Sequence, residues 1–544
     1  MENAVGTRPS RSVRTRAVLA AAVALAAVTP WTASGVAQAV SPAAAASVAA
    51  PATEQWTTQT VAPGVQVRTG LLQHTDAAPT WTITVQAPAV NRLTGDATWA
   101  PVGDRSWADT TARQLRAAGF TPIEDRVEWA AYADTPRGTM GWRVRVGSYA
   151  TQAAATSTHT ELTAAGFRTT VDWTGYDAEQ PADRENVHVA VIDPHRFTGT
   201  VEATHHGNVA QREKTSSVAD ALGSVLAVNG GFFITSDSDG VQGTSAGVAA
   251  YGGELQSMAA GTRAALILKD GGRHARIADL DTTVTARAGS ATYAVQGINR
   301  VPGKIRNCGR PGATPTELPR QDLTCTVTDD LVKFTAQFGA GLPTGGGTQV
   351  VLDASDRVVS VGTRGGAVPT DGSVLQGIGA AANWLSAQAE PGKKIKVQEI
   401  IRDTDGRKVE LGADDTIVSA APTLVEDGQI HVDAAAEGTL DPLDLSFGYA
   451  WSNARQPRTM AGIDKQGRLI LATVDGRQPG VSEGFTLTEA AAFMRSLGAV
   501  QALNLDGGGS SAMTVDGKLV NVPSDATGER TVGDTLQVLP AHRR

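Results

Sequence analysis

The stretch "GFTLTEAAAFMRSLGAVQALNLDGGGSSAM", residues 484–513, encodes a helix, a strand and a glycine turn in succession. Thr486 and Glu489 have capping-box spacing, Leu487, Ala490, Ala491, Met494 and Leu497 line one helical face, and Gly498 closes the helix. The apolar run "VQALNLD" (500–506) then predicts a strand ending at Asp506. Gly507, Gly508, Gly509, Ser510 and Ser511 follow. Consecutive glycines sacrifice conformational order, which suits a place where side chains would obstruct a close approach. A strand-end loop of this kind reads as a concavity of N–H groups able to hold an anion, with Asp506 as a candidate catalytic carboxylate beside it. The plainer alternative is a tight turn in which Asp506 caps its own loop.

Spacing excludes several better-known motifs. No Lys follows the glycines, so the loop is not a phosphate loop of the Walker type. Its first serine follows three glycines, so it is not a nucleophile elbow. "GTSAG" (243–247) matches the elbow pattern, but "SDSDG" precedes it and the strand-like "VAAYGG" follows, which is the wrong context. "DSDG" (237–240) and "DTDG" (403–406) lack the acidic residue that completes a calcium loop. The nine histidines show no metal-ligand spacing, and His205-His206 reads as a solvated turn. Neither a metal nor a cofactor is expected.

Three other strand ends carry polar groups. "AVNGGFF" (227–233) sets Asn229 and Gly230 after an apolar strand, and the Asn amide suits a sugar hydroxyl or N-acetyl group. "PRTMAG" (457–462) offers Arg458, whose guanidinium suits bidentate contact with a phosphate. "TVDGR" (473–477) adds Asp475 and Arg477. Between these, "VHVAVID" (187–193), "AALILK" (264–269), "TQVVLD" (348–353), "KIKVQEI" (394–400) and "RLILATVDG" (468–476) read as strands. The expected class is α+β with strands predominating. Residues from about 300 to 410 read as an insertion without a chemical motif.

The amino-terminal part is organised differently. Arg8, Arg11, Arg14 and Arg16 precede an apolar stretch, Ala17 to Val28, and "AQA" (37–39) is a small-x-small cleavage site, so residues 1–39 read as a secretory signal peptide. No later apolar stretch is long enough to span a bilayer. Losing four Arg and one Glu with the signal takes the net charge from −8 to about −11, which argues against nucleic acid as a partner. In an exported chain Cys308 and Cys325 are expected to form a disulfide worth about 3 kcal/mol. Residues 40–78 read as a linker or short strand. Beyond them an internal repeat appears: "LRAAGFTPIEDRVEW" (115–129) echoes "LTAAGFRTTVDW" (162–173), each preceded by an alternating strand. Two tandem β-α-β halves give a ferredoxin-like βαββαβ unit over 79–175.

At "WRVRVGSYATQAAATSTHTELTAAGF" this unit resembles the SPOR domain, which implies peptidoglycan as a partner. The blocks "AVNGGFF", "SAAPTLVEDGQI" (419–430), "RTMAGIDKQGRLILATVDGR" (458–477), residues 484–513 and "GERTVGD" (528–534) resemble the phosphodiester glycosidase family over about 185–540. That resemblance places the family's motif on Asn229, Gly230, Arg458, Thr459, Asp475, Asp506, Gly507, Gly508, Ser510 and Arg530. It implies an enzyme releasing a sugar from a phosphomonoester. Asp506 or Asp475 would then act as nucleophile or base, Arg458 and the 507–509 amides would hold phosphate, and Asn229 and Ser510 would orient the sugar. With export and a wall-binding unit, the expected substrate is a phosphodiester-linked wall or surface glycan. A non-catalytic wall-binding protein and a peptidoglycan hydrolase are the competing readings.

Overall fold

All six residues of the strand Leu469–Val474 are buried. Leu469 and Leu471 enter one core, while Ile470, Ala472 and Val474 enter another on the opposite face. A strand covered on both faces reads as a continuous apolar run, which explains "LILATV". The computed structural model describes residues 53–541 apart from 75 and 310–317. In it this strand sits inside an antiparallel sheet of eight strands. Their order is Thr53–Ala62, Val65–Gln73, Arg184–Ile192, Leu469–Val474, Arg458–Asp464, Ala499–Asn504, Thr423–Glu426 and Gln429–Ile430. The proposed signal peptide lies outside the described residues.

The helix Leu487–Ser496 covers one face through Leu487, Ala490, Ala491 and Met494. Its capping box is closed as expected: Glu489 N donates to Thr486 Oγ1 at 3.1 Å, and Thr486 N donates to Glu489 Oε2 at 2.8 Å. Glu489 also receives the buried Arg455 guanidinium, whose Nε lies 3.0 and 3.1 Å from its two oxygens. One carboxylate thus caps a helix and neutralises an interior cation.

The other face packs against a five-stranded sheet in the order Thr200–Thr204, Thr535–Leu539, Leu226–Asn229, Met513–Val515 and Lys518–Leu519. Leu226, Val228, Met513, Leu536 and Val538 share a core with Leu469, Leu471 and Leu503. The chain leaves the large sheet at Asn504 and enters the smaller one at Met513, so the glycine loop crosses the seam between two sheets. Asn229 ends the strand Leu226–Asn229 at the same seam.

Residues 297–378 contribute a separate five-stranded sheet, whose Leu331, Val350 and Leu375 pack with Leu385 of the helix Ala380–Gln388 against Ile267 and Ile417. The strand Lys396–Asp403 then returns to pair with His274–Ala288. Cys308 and Cys325 form the expected disulfide.

Residues 53–73, expected as a linker or short strand, instead form a hairpin that extends the large sheet. Val65–Gln73 pairs with Arg184–Ile192 along its full length, from Val65↔Ile192 to Gln73↔Arg184. The hairpin hides its role in sequence because it does not alternate simply: Val65 and Val67 enter one core, Leu72 enters the core on the opposite face, and Gln66 and Thr69 stay exposed.

The intervening segment runs strand Trp81–Val85, helix Arg105–Ala117, strands Pro122–Glu128 and Thr139–Tyr149, helix Gln152–Ala164 and strand Thr169–Trp173. Its antiparallel sheet has the order 122–128, 139–149, 81–85, 169–173. Both helices share a core with the sheet through Ala108, Leu115, Ala155 and Leu162. Gly119 and Gly166 turn left-handed after the two helices (φ 88° and 91°), the conformation their C′ positions require. Among the described residues no helix is long and apolar enough to cross a membrane.

Because Glu489 serves two partners, its removal should exceed the loss of a cap. Glu489→Ala is expected to cost about 3–5 kcal/mol by leaving Arg455 buried and unpaired, against about 1 kcal/mol for Thr486→Ala. Urea denaturation of the two variants checks this; equal losses would assign the effect to the cap alone.

Candidate active site at the seam of two sheets

Asn229 is completely buried, and its amide joins three segments. Oδ1 accepts from Thr459 Oγ1 at 2.6 Å and from Ala512 N at 3.1 Å, while Nδ2 donates to the Asp506 carbonyl at 2.8 Å. It ties the small sheet, the strand Arg458–Asp464 and both ends of the glycine loop together. Asp506 N donates to the Gly230 carbonyl at 3.1 Å, and Leu505 N to the Thr459 carbonyl at 2.8 Å. Asn229, Gly230 and Thr459, expected as substrate contacts, are therefore internal braces: all three are buried and face their own chain.

The glycine loop also differs from the expected cradle of amides. Gly507 N donates to Asp506 Oδ1 at 2.9 Å and Gly508 N to the Pro457 carbonyl at 2.8 Å. Ser510 N and Ser511 N turn back to the carbonyls of Gly507 and Gly508. The loop is folded on itself, and what approaches it closely is arginine. A Cβ on Gly508 (φ 61°) would lie 3.0 Å from Arg477 Nη2. A Cβ on Gly509 would lie 2.2 Å from both Arg530 Nη2 and Asp525 Oδ1. The glycines make room for two guanidiniums.

Asp506 is half-buried beside them. Burial pushes its carboxyl up to about 7; the Asp322 carboxylate adds to this, while Ser510, the Gly507 amide and Arg530 oppose it. The Ser510 hydroxyl lies close enough to favour the charge without closing a well-formed hydrogen bond. Ser510 Oγ and Ser511 Oγ are buried without partners. Arg477, which keeps an exposed face, is drawn below the usual arginine range by its packed surroundings and by the neighbouring Arg530. It donates from Nε to Gln456 Oε1 at 2.6 Å, whereas Arg530 is held by Asp525 at 2.8 and 3.0 Å. Two cations drawn together beside a carboxyl that titrates near neutrality make an anion site next to a proton acceptor.

Asp475, expected as the second catalytic carboxylate, is 1% exposed. Its Oδ1 accepts from Val522 N at 2.9 Å, and Oδ2 faces His188 Nε2 at 3.7 Å. It anchors the loop that leads to Asp525 and Arg530. Arg458, expected on the phosphate, is fully buried over the Trp451 ring, donating to the Phe485 carbonyl at 2.8 Å and the Trp451 carbonyl at 2.5 Å. Desolvation pulls it down to about 10, and its Nη1 has no partner. Ser245 of "GTSAG" meets Tyr251 OH at 2.9 Å and is followed by the strand Ala249–Tyr251, as its sequence context indicated.

Four contributors escaped sequence reading. Arg477 was visible at a strand end but without a role. Asp322 lies in the segment without motifs, and Asp525 in the approach to Arg530. Asp534, the last residue of "GERTVGD", accepts from Gly231 N at 2.9 Å and Tyr251 OH at 2.7 Å, and burial raises its carboxyl. Among the described residues no cluster of His, Cys, Asp or Glu is arranged to hold a metal ion.

The family model described as phosphodiester glycosidase matches residues 346–539, and that of the SPOR domain matches 84–171. Through the first, residues 346–539 carry a phosphodiester glycosidase domain. The match takes in the glycine loop, both arginines and Asp506; it starts within the 300–410 segment, and Asn229 lies before it. N-acetylglucosamine-1-phosphodiester alpha-N-acetylglucosaminidase of Mus musculus is 33% identical over 110 residues, covering 20% of this chain and 21% of that protein. The Homo sapiens protein of that name is 30% identical over 129 residues, covering 24% of each. The chain thus spans about a quarter or less of these curated relatives. A solved structure from Burkholderia pseudomallei, described as an exported protein, is similar across 90% of this chain and 98% of its own, with TM-score 0.78 and 32% identity. Asn229→Ala leaves Thr459 Oγ1, Ala512 N and the Asp506 carbonyl unpaired, and is expected to cost about 3–5 kcal/mol in chemical denaturation. A loss below about 1 kcal/mol would contradict the role given to it.

Proposed function

We propose that this chain is an exported hydrolase that cleaves a sugar-1-phosphodiester of the GlcNAc-1-phosphodiester type in a cell-wall or surface glycan. The observation that carries the reading is the placement of Arg477 and Arg530 against Gly508 and Gly509, next to half-buried Asp506. The names of the mammalian relatives support the bond type. The signal-like amino terminus, the disulfide and the relative described as exported support the location. The SPOR match supports a wall address, and the strand order and two-helix packing of that domain support reading 79–175 as ferredoxin-like.

A phosphate diester bears a negative charge that paired guanidiniums recognise, and its phosphomonoester product is a good leaving group. Strong acid assistance is therefore unnecessary, and the remaining need is a base. Asp506, ionised above about pH 7, accepts a proton from water as the water oxygen bonds to the anomeric carbon. The bond from that carbon to the phosphate oxygen breaks, and the electron pair leaves with the phosphomonoester held by Arg477 and Arg530. Asp475, Asn229, Thr459 and Gly230 position this machinery, and Ser510 sets the environment of Asp506.

Turnover of a GlcNAc-1-phosphodiester should fall at least ~10²-fold in Asp506→Asn. Near-normal turnover by that variant would remove Asp506 from the mechanism. In the unmodified protein kcat/KM should rise with pH through about 7 and then level off, because the carboxyl must lose its proton to act as base. A falling limb through the same pH would make Asp506 an acid. The two aspartates are separable as well. Asp475→Asn keeps an acceptor for Val522 N and should retain turnover of the same order, whereas Asp475→Ala should lose about 1–3 kcal/mol of stability. A loss in Asp475→Asn equal to that in Asp506→Asn would restore Asp475 as a catalytic group. An unmodified protein that is folded and inert on sugar phosphodiesters, yet binds wall glycan, would favour the non-catalytic reading.

A further inference from the structure

A cavity of about 850 Å³ opens between the amino-terminal hairpin, the 79–175 domain and the helix Leu487–Ser496. Its volume is that of a small-molecule site. None of the residues assigned to Asp506 chemistry lines it. Trp56, Trp129, Phe485 and Phe493 supply aromatic walls. Glu185 also lines it, 3% exposed, and its Oε2 has no hydrogen-bond partner. An orphaned acid in a cavity wall costs stability unless something in the cavity completes it.

The charges around it narrow the occupant. Glu489 is neutralised by Arg455, Glu179 lies 3.6 Å from Arg143, and Glu128 is paired with Arg126. Glu54 accepts from Trp56 Nε1, and Arg68 stacks over the Trp56 ring at 4.3 Å. Burial and the nearby Arg455 lower His74, so its ring is neutral at physiological pH. Burial, reinforced by Glu489, raises Glu185 to about 9, so it is a neutral acid with one donor and spare acceptor capacity. Among the described charged residues of the lining, only Glu54 and Arg68 lack an ion-pair partner, and their opposite charges offset one another.

We propose that this cavity is a second ligand site, separate from the catalytic one, that takes an uncharged oligosaccharide segment. Sugar rings present apolar C–H faces to Trp129 and hydroxyl or acetamido edges to the unpaired acid. Their lack of charge matches the neutralised lining. The catalytic reading enters only in the choice of N-acetylglucosamine as the probe sugar.

Calorimetric titration of the full chain with chitotriose tests it, using Asp506→Asn as background to remove the first site. Binding is expected, and Glu185→Leu should weaken it about tenfold by removing the hydrogen-bonding edge. Glu185→Gln, which keeps a donor and an acceptor, should restore it, and Trp129→Ala should weaken it independently. With Asp506 intact, Glu185→Leu should leave hydrolysis of a small sugar phosphodiester unchanged, which separates this site from the catalytic reading. Absence of chitotriose binding, binding indifferent to Glu185→Leu and Trp129→Ala, or preference for a cationic peptide would each overturn the proposal.

Discussion

The Asn229 side-chain amide is the constraint on which the site depends. Two sheets meet with their cores merged, and the chain must pass from one to the other between Asn504 and Met513. An unbraced connection of three glycines would be the softest part of the molecule. Asn229 holds the start of that connection at the Asp506 carbonyl and its end at Ala512 N, and takes the Thr459 hydroxyl from the large sheet. Hydrogen bonds fully enclosed in a packed interior resist exchange with water, so the loop keeps one shape. Only then can two guanidiniums lie against glycine backbone at a fixed distance from a carboxyl.

This arrangement separates support from chemistry. Asn229, Thr459, Asp475 and Arg458 are buried and bonded to their own chain. Asp506, Arg477 and Arg530 keep access to solvent. Asn229, Asp475 and Arg458 are as prominent in the sequence as Asp506 and Arg477, since each sits beside a glycine or proline near a strand end. Strand-end position marks where polar groups collect, and burial decides which of them a substrate can reach.

Much of the fold was legible because its signals are local. The capped helix 487–496, the left-handed glycines after two helices and the doubly buried strand 469–474 each follow from short-range rules. The hairpin 53–73 was not, because its few buried residues are divided between two cores and its exposed Thr and Gln resemble linker sequence. The glycine loop announced a close approach but not its partner. Arg477 and Arg530 arrive from strand ends 53 residues apart in order, and Asp322 from a segment tied by the disulfide. Of the amides predicted to bind an anion, those of Gly507 and Gly508 are taken by Asp506 and the Pro457 carbonyl, a pattern that glycine spacing does not encode.

In the proposed reaction water attacks the sugar carbon while the two arginines retain the phosphate. Hydrolysis of a GlcNAc-1-phosphodiester in ¹⁸O-labelled water, with mass analysis of both products, tests it most directly. The label is expected on the sugar and not on the phosphomonoester. Label on the phosphate, with sugar-1-phosphate released, would contradict it by placing the attack at phosphorus.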